Sequence, residues 1–270
     1  MKPRSKVLII AGSDSSGGAG IQADIKTVTA LGSYAMTAIT AVTCQNTKGV
    51  KGITSIPIKN IHKQITMVLE DIGTNAVKIG MLHNTSVIKC IHKILKKYKT
   101  KNIVLDPVMI SKGGSRLVNN NSIRHLKKLL LPLCNIVTPN IPEAEVLTGY
   151  SILDKESMIK ASKKILNMGA KNVLLKGGHL KGKMIFDILA TKKRIKIFAK
   201  RKIRTKNTHG TGCTLSSALA TCLSQNKNIE KSCKISLTYV NKAIISAPGY
   251  GKGFGPLNHL VSFNLKNINV

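Results

Sequence analysis

A single thiol lies at the junction between a glycine-rich turn and a helix-forming run. The stretch spans residues 207–220, reads NTHGTGCTLSSALA, and places Cys213 at the junction. Glycines permit a tight turn and bring backbone N–H groups close to a ligand, and a helix N-terminus favours negative charge. The stretch therefore predicts a phosphate or oxyanion site with a reactive side chain built in. The simpler interpretation is an ordinary helix start with a small buried cysteine.

Polar residues follow three predicted strands at the points where those strands end. Asp106 follows one strand, Asn140 follows the next, and Lys176 follows the one after. In open α/β sheets, ligands bind beyond the carboxyl ends of the strands. Together with the glycine-rich stretch, these residues predict a phosphate-handling site at one edge of a sheet.

The elements that must position these residues alternate between strands and helices. Residues 7–11 form an apolar run that enters the glycine-rich loop 12–20, and helically spaced apolar residues follow until Gly32. Further strands are predicted at 35–43, 52–58, 76–79, 103–105, 135–137 and 173–175, with a hairpin at 184–190 and 194–198. Helical spacing between most of them predicts an α/β fold, with a central, mostly parallel sheet covered by helices on both faces.

Length and composition favour one domain with a substantial core. Hydrophobic residues make up 43% of the 270 residues, which is enough for a sizeable core. No break in composition and no Pro/Gly/Ser-rich linker divides the chain. We therefore expect a single domain over residues 1–270.

The net charge of +32 raises the question of a nucleic-acid partner. The basic residues are spread over every segment, Trp is absent, and aromatic residues make up only 3% of the chain. Stacking platforms for bases need aromatic side chains among basic ones. We therefore expect a solvated basic surface and no nucleic-acid partner, although the dense run 192–206 could attract a polyanionic ligand.

Cysteine usage and the N-terminus bear on the cellular compartment. Six cysteines are scattered without a C-x-x-C motif or zinc-type spacing, which fits free thiols in a reducing cytoplasm. The apolar run 7–11 is too short for a signal or membrane segment. We expect a cytoplasmic protein with no membrane partner.

Seven strings in this chain match one known family in order and over nearly the whole length. They are AGSDSSGGAGIQAD at 11–24, QNT at 45–47, KIGML at 78–82, LDPVM at 105–109, TPNIPEA at 138–144, LKGGH at 175–179 and NTHGTGCT at 207–214. The chain resembles the ribokinase-like kinases, and among them the hydroxymethylpyrimidine and phosphomethylpyrimidine kinases of thiamine biosynthesis. The resemblance implies ATP, Mg²⁺ and an aminopyrimidine alcohol that is phosphorylated twice in succession. We further expect a homodimer.

The resemblance also implies roles for the residues that handle phosphate. Cys213 would accept the proton of the substrate hydroxyl, and the helix N-terminus would lower its pKa toward the thiolate. The transferring group would be held by the backbone N–H groups of Gly210, Thr211 and Gly212. Nucleotide phosphates and Mg²⁺ would be bound by the following polar residues: Lys176, Asn140, Thr208, Thr211, Asp106 and Glu143. Glu143 could instead be only the first-turn acid of a helix, and Lys176 only a surface lysine.

The substrate end is implied mainly by the family match. Gln45 has a donor and an acceptor that can pair with the amino group and ring nitrogen of an aminopyrimidine, and Asp24 is expected to contact the substrate. Backbone and apolar walls would come from Gly12, Ala19, Met81 and Val108. The role of Asp187 stays open, and Phe254 stands where the family commonly has His.

Two alternatives remain open. A pyridoxal or pyridoxine kinase shares the anion loop and also takes a heteroaromatic alcohol, although the 45–47 and 78–82 strings favour the pyrimidine. A non-catalytic binder of nucleic acid or another polyanion is motivated by the +32 charge.

Overall fold

The computed structural model describes residues 2–109 and 118–262. Its strands are β1 (Lys6–Asp14), β2 (Tyr34–Asn46), β3 (Gly49–Ser55), β4 (Ala76–Ile79), β5 (Ile103–Leu105), β6 (Ile136–Val137), β7 (Asn172–Leu175), β8 (Met184–Thr191) and β9 (Ile195–Arg201). Its helices are α1 (Gly20–Ala30), α2 (Ile58–Asp71), α3 (Thr85–Lys97), α4 (Asn120–His125), α5 (Ile141–Thr148), α6 (Lys155–Asn167), α7 (Thr211–Ser224) and α8 (Ile229–Ile245). A π-helical segment, Leu126–Leu130, and a short 3-10 turn, Leu131–Leu133, continue α4.

One sheet contains all the strands of the described residues, in the order β3-β2-β1-β4-β5-β6-β7-β8-β9. The pairs from β2 through β1, β4, β5 and β6 to β7 are parallel. The outer pairs β2/β3, β7/β8 and β8/β9 are antiparallel. The predicted mostly parallel sheet and the predicted antiparallel hairpin are therefore confirmed.

Helices cover both faces of the sheet because the central strands are apolar on both sides. In β1, Leu8 and Ile10 pack into a core with α2, α3, α5 and α6. Val7 and Ile9 point the other way and pack against α1, α7 and α8. Strand side chains alternate between the two faces of a sheet, so a fully apolar strand must be covered on both faces.

The boundary between β3 and α2 differs from the prediction. The sequence predicts an extended segment at 52–58, whereas β3 ends at Ser55 and Ile58 is already the first residue of α2. Pro57 is the N-cap of that helix, where its φ of −55° suits a helix start. The apolar positions Ile61 and Ile65 follow at helical spacing and are fully buried.

The sheet brings the glycine-rich loop after β1 next to the ends of β4 and β5. The chain passes from β1 outward to β2 and later returns to place β4 on the other side of β1. Such a reversal of strand order opens a crevice at the carboxyl ends of the strands. This crevice is where the candidate site lies.

The structure shows the state of the cysteines and the lengths of the helices. All six cysteines are free thiols. Over residues 2–109 and 118–262, every helix falls short of the length and apolar character needed to cross a bilayer.

Candidate active site

A cavity of about 710 Å³ opens beyond the carboxyl ends of the parallel strands. All the predicted site residues except Asp24 line it: Gly12, Ala19, Gln45, Met81, Asp106, Val108, Asn140, Glu143, Lys176, Thr208, Gly210, Thr211, Gly212 and Cys213. These residues come from segments spread over some 200 positions of sequence. The topology of the sheet, and no local motif, brings them together.

The glycine-rich turn that starts at residue 207, called the anion loop here, ends where α7 begins. Gly210 is the N-cap of α7 with φ +80°, a left-handed conformation that suits glycine. A side chain at this position would overlap the Gly18 carbonyl oxygen of the facing glycine-rich loop. The two loops therefore approach each other backbone to backbone, and the first-turn residues Thr211, Gly212 and Cys213 line the cavity at the positive end of α7.

Cys213 lies in the first turn of α7 and lines the cavity. The sequence predicts that the helix N-terminus lowers the pKa of its thiol, but burial raises that pKa to about 12. The positive charge of Lys78 opposes this rise, and the negative charges of Asp24 and Asp106 add to it. Desolvation of a thiolate outweighs the helix end here. The sulfur is thus a protonated thiol in the free protein at neutral pH.

Lys176 follows β7 and contacts the carboxylate that follows β5. Its Nζ lies 3.1 Å from Asp106 Oδ1, and Thr138 donates a hydrogen bond to the same oxygen. Burial would lower the Lys176 pKa, but the Asp106 and Glu143 carboxylates outweigh burial and raise it. The ammonium group stays charged at the cavity wall. It is therefore not the freely exposed surface lysine of the simpler interpretation.

Glu143 both caps a helix and faces the charged pair. Its carboxylate accepts the Asn140 N–H at 2.8 Å, while Asn140 Oδ1 accepts the Glu143 N–H at 2.9 Å, which forms a capping box at the start of α5. Burial raises the Glu143 pKa to about 7; Lys176 lowers it and the negative charge of Asp106 raises it. The two interpretations offered by the sequence, helix acid and site carboxylate, are compatible.

Gln45 belongs to a polar cluster at the other end of the cavity. Its amide nitrogen lies 3.2 Å from His209 Nε2, and that ring nitrogen lies 2.7 Å from Asp14 Oδ2. Burial alone would raise the Asp14 pKa, but hydrogen bonds from His209 and Ser16 lower it to about 2. The ionised Asp14 carboxylate can only accept hydrogen bonds, so His209 Nε2 carries the hydrogen and donates it to Asp14. The Gln45 amide is then best turned with its oxygen toward His209 and its NH₂ toward Thr43.

Asp24 is the predicted site residue that the structure places elsewhere. It is fully buried, and its carboxylate binds Lys78 Nζ at 2.6 Å and the Ser217 hydroxyl at 2.7 Å. It does not line the cavity, so the expected direct contact with the substrate does not fit its position. The reason is its place in α1, where its side chain turns toward β4 and α7.

Some cavity residues were not predicted as site residues. Lys78, Asp14, His209 and Asp187 all line the cavity. Asp187, whose role the sequence left open, accepts the Gly177 N–H at 3.0 Å and lies 3.5 Å from Lys200 Nζ. Of these residues, Lys78 was the most predictable from the sequence, because a lysine inside the short apolar strand AVKI needs a buried partner.

Comparisons with known proteins show which family the sequence matches. A family model described as "Phosphomethylpyrimidine kinase" matches residues 14–258. The hydroxymethylpyrimidine/phosphomethylpyrimidine kinase of Bacillus subtilis is 42% identical over 98% of this chain and 97% of its own length. The thiamine biosynthesis bifunctional protein ThiED of Geobacter sulfurreducens is 47% identical over 96% of this chain. This chain spans only about half, 53%, of that relative's length.

Solved structures agree on the fold. A phosphomethylpyrimidine kinase from Clostridium difficile superposes with a TM-score of 0.80 at 47% identity, over 89% of this chain and 99% of that one. The ADP complex of a Bacillus subtilis pyridoxal kinase has a TM-score of 0.90 and 34% identity, over 96% of this chain and 99% of that one. The predicted ribokinase-like fold is therefore confirmed. By the family model and by these relatives, the chain belongs to the phosphomethylpyrimidine kinase family.

Proposed function

We propose that this protein transfers phosphate from ATP to 4-amino-5-hydroxymethyl-2-methylpyrimidine, and then phosphorylates the monophosphate to the pyrophosphate, in thiamine biosynthesis. The observation that carries the proposal is the cavity itself. It places an amide suited to an aminopyrimidine, Gln45, in the same space as Cys213, Lys176 and the positive end of α7. The relatives named for these two kinase activities support it.

The phosphate end of the cavity supplies positioning and charge, which are the main needs of phosphoryl transfer. The N–H groups of Gly210, Thr211 and Gly212 would hold the oxygens of the transferring group. Lys176, tied to Asp106, would neutralise the nucleotide phosphates, with Thr208, Thr211 and Asn140 beside them. Structures of a similar pyridoxal kinase from Staphylococcus aureus with ADP and with AMP-PCP support a nucleotide in this fold.

The carboxylates at this end fit a magnesium ion. Asp106 and Glu143 are close enough that the negative charge of Asp106 raises the Glu143 pKa, and such a pair favours a cation. Among the described residues, no cluster of three or more His, Cys, Asp and Glu side chains could hold a metal alone. Mg²⁺ commonly takes one or two carboxylates and completes its shell with water and phosphates. Bound there, it would neutralise charge on the nucleotide.

The substrate end would hold the pyrimidine ring. Gln45 would pair with the ring nitrogen and amino group, and Met81 and Val108 would contact the ring faces. Gly12 and Ala19 would let backbone approach closely; a side chain at Gly12 would overlap Met81. Cys213 would then face the hydroxymethyl oxygen; after its thiol loses a proton to water, the thiolate would accept the hydroxyl proton as general base.

We also propose the setting in which the enzyme works. It is a cytoplasmic homodimer, its 270 residues form one kinase domain, and it has no nucleic-acid or membrane partner. Its free thiols support the reducing compartment. Sedimentation velocity of the purified protein tests the dimer.

Mass spectrometry of the reaction products tests the proposed activity. The protein is incubated with ATP, Mg²⁺ and the aminopyrimidine alcohol. We expect the monophosphate to appear first and the pyrophosphate to follow. ATP turnover without either product would contradict the proposal, and omission of Mg²⁺ should abolish both steps.

A second candidate is supported by specific structures. The pyridoxal kinase of Staphylococcus aureus, solved with pyridoxal, has a TM-score of 0.90 and 32% identity to this chain. Pyridoxal or pyridoxine phosphorylation is therefore the competing activity of the same cavity. The pyrimidine kinases of Bacillus subtilis and Haemophilus influenzae have the higher identities to this chain, 42% and 43%, and we rank that activity first.

A further inference from the structure

Gln45 is held at both its backbone and its side chain. Its N–H donates to the Ser15 hydroxyl at 2.9 Å, and that hydroxyl donates to the Gln45 carbonyl oxygen at 2.9 Å. One end of the side-chain amide lies 3.2 Å from His209 Nε2, and the other end lies 3.2 Å from Thr43 Oγ1. The amide therefore has a polar neighbour at each end, and the hydrogens of those neighbours decide which way it points.

The neighbour at one end, His209, offers a hydrogen to the amide. Its Nε2 lies 2.7 Å from Asp14 Oδ2, and an ionised carboxylate only accepts, so this nitrogen is an N–H donor. Asp14 is fixed in turn, because it accepts the N–H groups of Ser16 and Ala19 and the Ser16 hydroxyl at 2.7 to 2.9 Å. The His209 ring is buried, and a Cβ at Gly18 would overlap its Cδ2. The N–H of this fixed ring fits an amide oxygen and opposes an NH₂.

The neighbour at the other end, Thr43, can only accept from the amide. Its hydroxyl donates its single hydrogen to the Ser13 carbonyl oxygen at 2.8 Å. A carbonyl oxygen has no hydrogen to give, so the Thr43 hydroxyl keeps only lone pairs for Gln45. The two neighbours therefore require the same direction of the amide, with the oxygen toward His209 and the NH₂ toward Thr43.

The direction of the amide decides which ring it can pair with. The amide oxygen keeps one lone pair for a ligand, and the NH₂ keeps one hydrogen. A ring that carries an amino group beside an unprotonated nitrogen matches this pair. A ring that carries an oxo group beside a ring N–H presents the reverse pattern, and it could pair only if the amide turned. The turned amide would oppose NH₂ to the His209 N–H, and its oxygen to the lone pairs of Thr43.

We propose that His209 and Thr43 are positioning residues that set specificity: by fixing the direction of the Gln45 amide, they make the cavity accept a 4-aminopyrimidine alcohol and reject the 4-oxo alcohol of the same shape. This inference rests on the proposed function and deepens it. The two alcohols differ mainly in the donors and acceptors on one ring edge, so shape cannot separate them. Rejection comes from the opposed polar groups that the wrong ring would create.

The test compares dissociation constants of the two alcohols, measured by calorimetry with displacement titration for the weaker one. The oxo probe is 5-hydroxymethyl-2-methylpyrimidin-4(3H)-one. We expect the wild type to bind the amino alcohol at least about 100-fold more tightly. Thr43→Val keeps the shape of the side chain and removes the acceptor, so the ratio should fall about tenfold. Thr43→Ser keeps a hydroxyl and should retain the wild-type ratio.

Thr66→Val is the matched control. It removes a buried hydroxyl that donates to the His62 carbonyl oxygen within α2, and it should leave the ratio unchanged. A wild-type ratio near one, or a ratio that Thr43→Val does not lower, would overturn the proposal. Binding is measured without ATP, so selective binding without phosphate transfer would refute the proposed function and support this inference. Transfer to both alcohols with equal binding would do the reverse.

NMR of the free wild-type protein reads the amide direction without any variant or ligand. Nuclear Overhauser contacts from the Gln45 NH₂ should be stronger to the Thr43 methyl group than to the His209 ring. Long-range ¹H–¹⁵N spectra should show a hydrogen on His209 Nε2. Stronger contacts to the His209 ring, or a hydrogen on Nδ1 alone, would overturn the proposal. This measurement decides even if Thr43→Val does not fold.

Discussion

Cys213 and Lys176 line the same cavity, but their replacement should change kcat and the KM for ATP differently. In the proposed mechanism the thiol would act on the acceptor hydroxyl, whereas the ammonium group, bound to Asp106, would act on the nucleotide phosphates. We expect Cys213→Ala to lower kcat by about 100-fold or more and to leave the KM for ATP nearly unchanged. Steady-state kinetics with ATP varied at saturating aminopyrimidine measures both. Wild-type turnover in Cys213→Ala would show that the general base is another group.

Lys176→Ala should weaken ATP binding and turnover together, because the phosphates lose their buried cation and Asp106 loses its partner. A matched control is Lys171→Ala, since Lys171 is exposed at the opposite end of β7. The control should leave the KM for ATP unchanged. Equal effects of the two variants would mean that Lys176 acts only through the general positive charge of the surface.

Glu143 makes stability depend on pH. Its folded pKa of about 7 lies above the ordinary 4.5, so ionising it costs folding free energy as pH rises from about 4.5 to 7. Glu143→Gln cannot ionise and should exceed wild type in stability by about 2 to 3 kcal/mol at pH 8, with the gain vanishing near pH 4.5. Urea unfolding at several pH values measures it.

The exposed Glu156, in the first turn of α6, provides the control for that measurement. Glu156→Gln keeps Glu143, so its stability should follow the same pH dependence as that of the wild type across this range. A Glu143→Gln effect that is the same at pH 4.5 and pH 8 would contradict the raised pKa.

At the scale of elements, the contact between the two glycine-rich loops is the most sensitive feature. Gly210→Ala forces a side chain into a left-handed conformation, at a cost of about 1–2 kcal/mol, and into overlap with Gly18. We expect turnover to fall by about 100-fold, because the anion loop shifts from its productive geometry, while the fold survives. Kinetics and thermal unfolding measure the two effects separately.

Gly52→Ala is the control for Gly210→Ala. Gly52 lies in β3 and is not among the residues that line the cavity, and a Cβ there would make only ordinary contacts with Cys44 at 3.7 Å. This variant should keep wild-type turnover. If Gly210→Ala keeps it as well, backbone contact between the loops is not needed for transfer.

Elements were more predictable than the buried links between them. Apolar strands alternating with helical spacing predict the sheet, and strand-end residues such as Asp106 and Lys176 predict its active edge, because both follow from local patterns and a general topological rule. The 52–58 segment was mispredicted because an apolar run next to proline suits a strand end and a helix start alike. The Asp24–Lys78–Ser217 link was beyond sequence reasoning, since its members are distant along the chain and meet only through the packing of α1, β4 and α7.

The pKa of Cys213 illustrates the same limit at one atom. A helix N-terminus can be recognised from glycines followed by helix formers, so the direction of its field is predictable. The desolvation that outweighs this field depends on how closely the cavity wall packs around the sulfur. Only the folded structure supplies that information.

At the scale of the whole molecule, the net charge of +32 has a role compatible with catalysis. Lys200, Arg201 and Lys202 of the β9 region line the cavity, where they would attract the polyanionic nucleotide. Other basic residues pair with the few carboxylates, as Arg194 and Lys196 do with Glu230. A site lined with reactive side chains favours an enzyme over a non-catalytic polyanion binder.

The proposed substrate of this cavity is the aminopyrimidine alcohol. The most direct measurement is the ratio of kcat/KM for phosphate transfer to hydroxymethylpyrimidine and to pyridoxine, under identical ATP and Mg²⁺. We expect a clear preference for hydroxymethylpyrimidine, because Gln45 offers a paired donor and acceptor that match its amino group and ring nitrogen. A preference for pyridoxine, or transfer to neither alcohol, would contradict it.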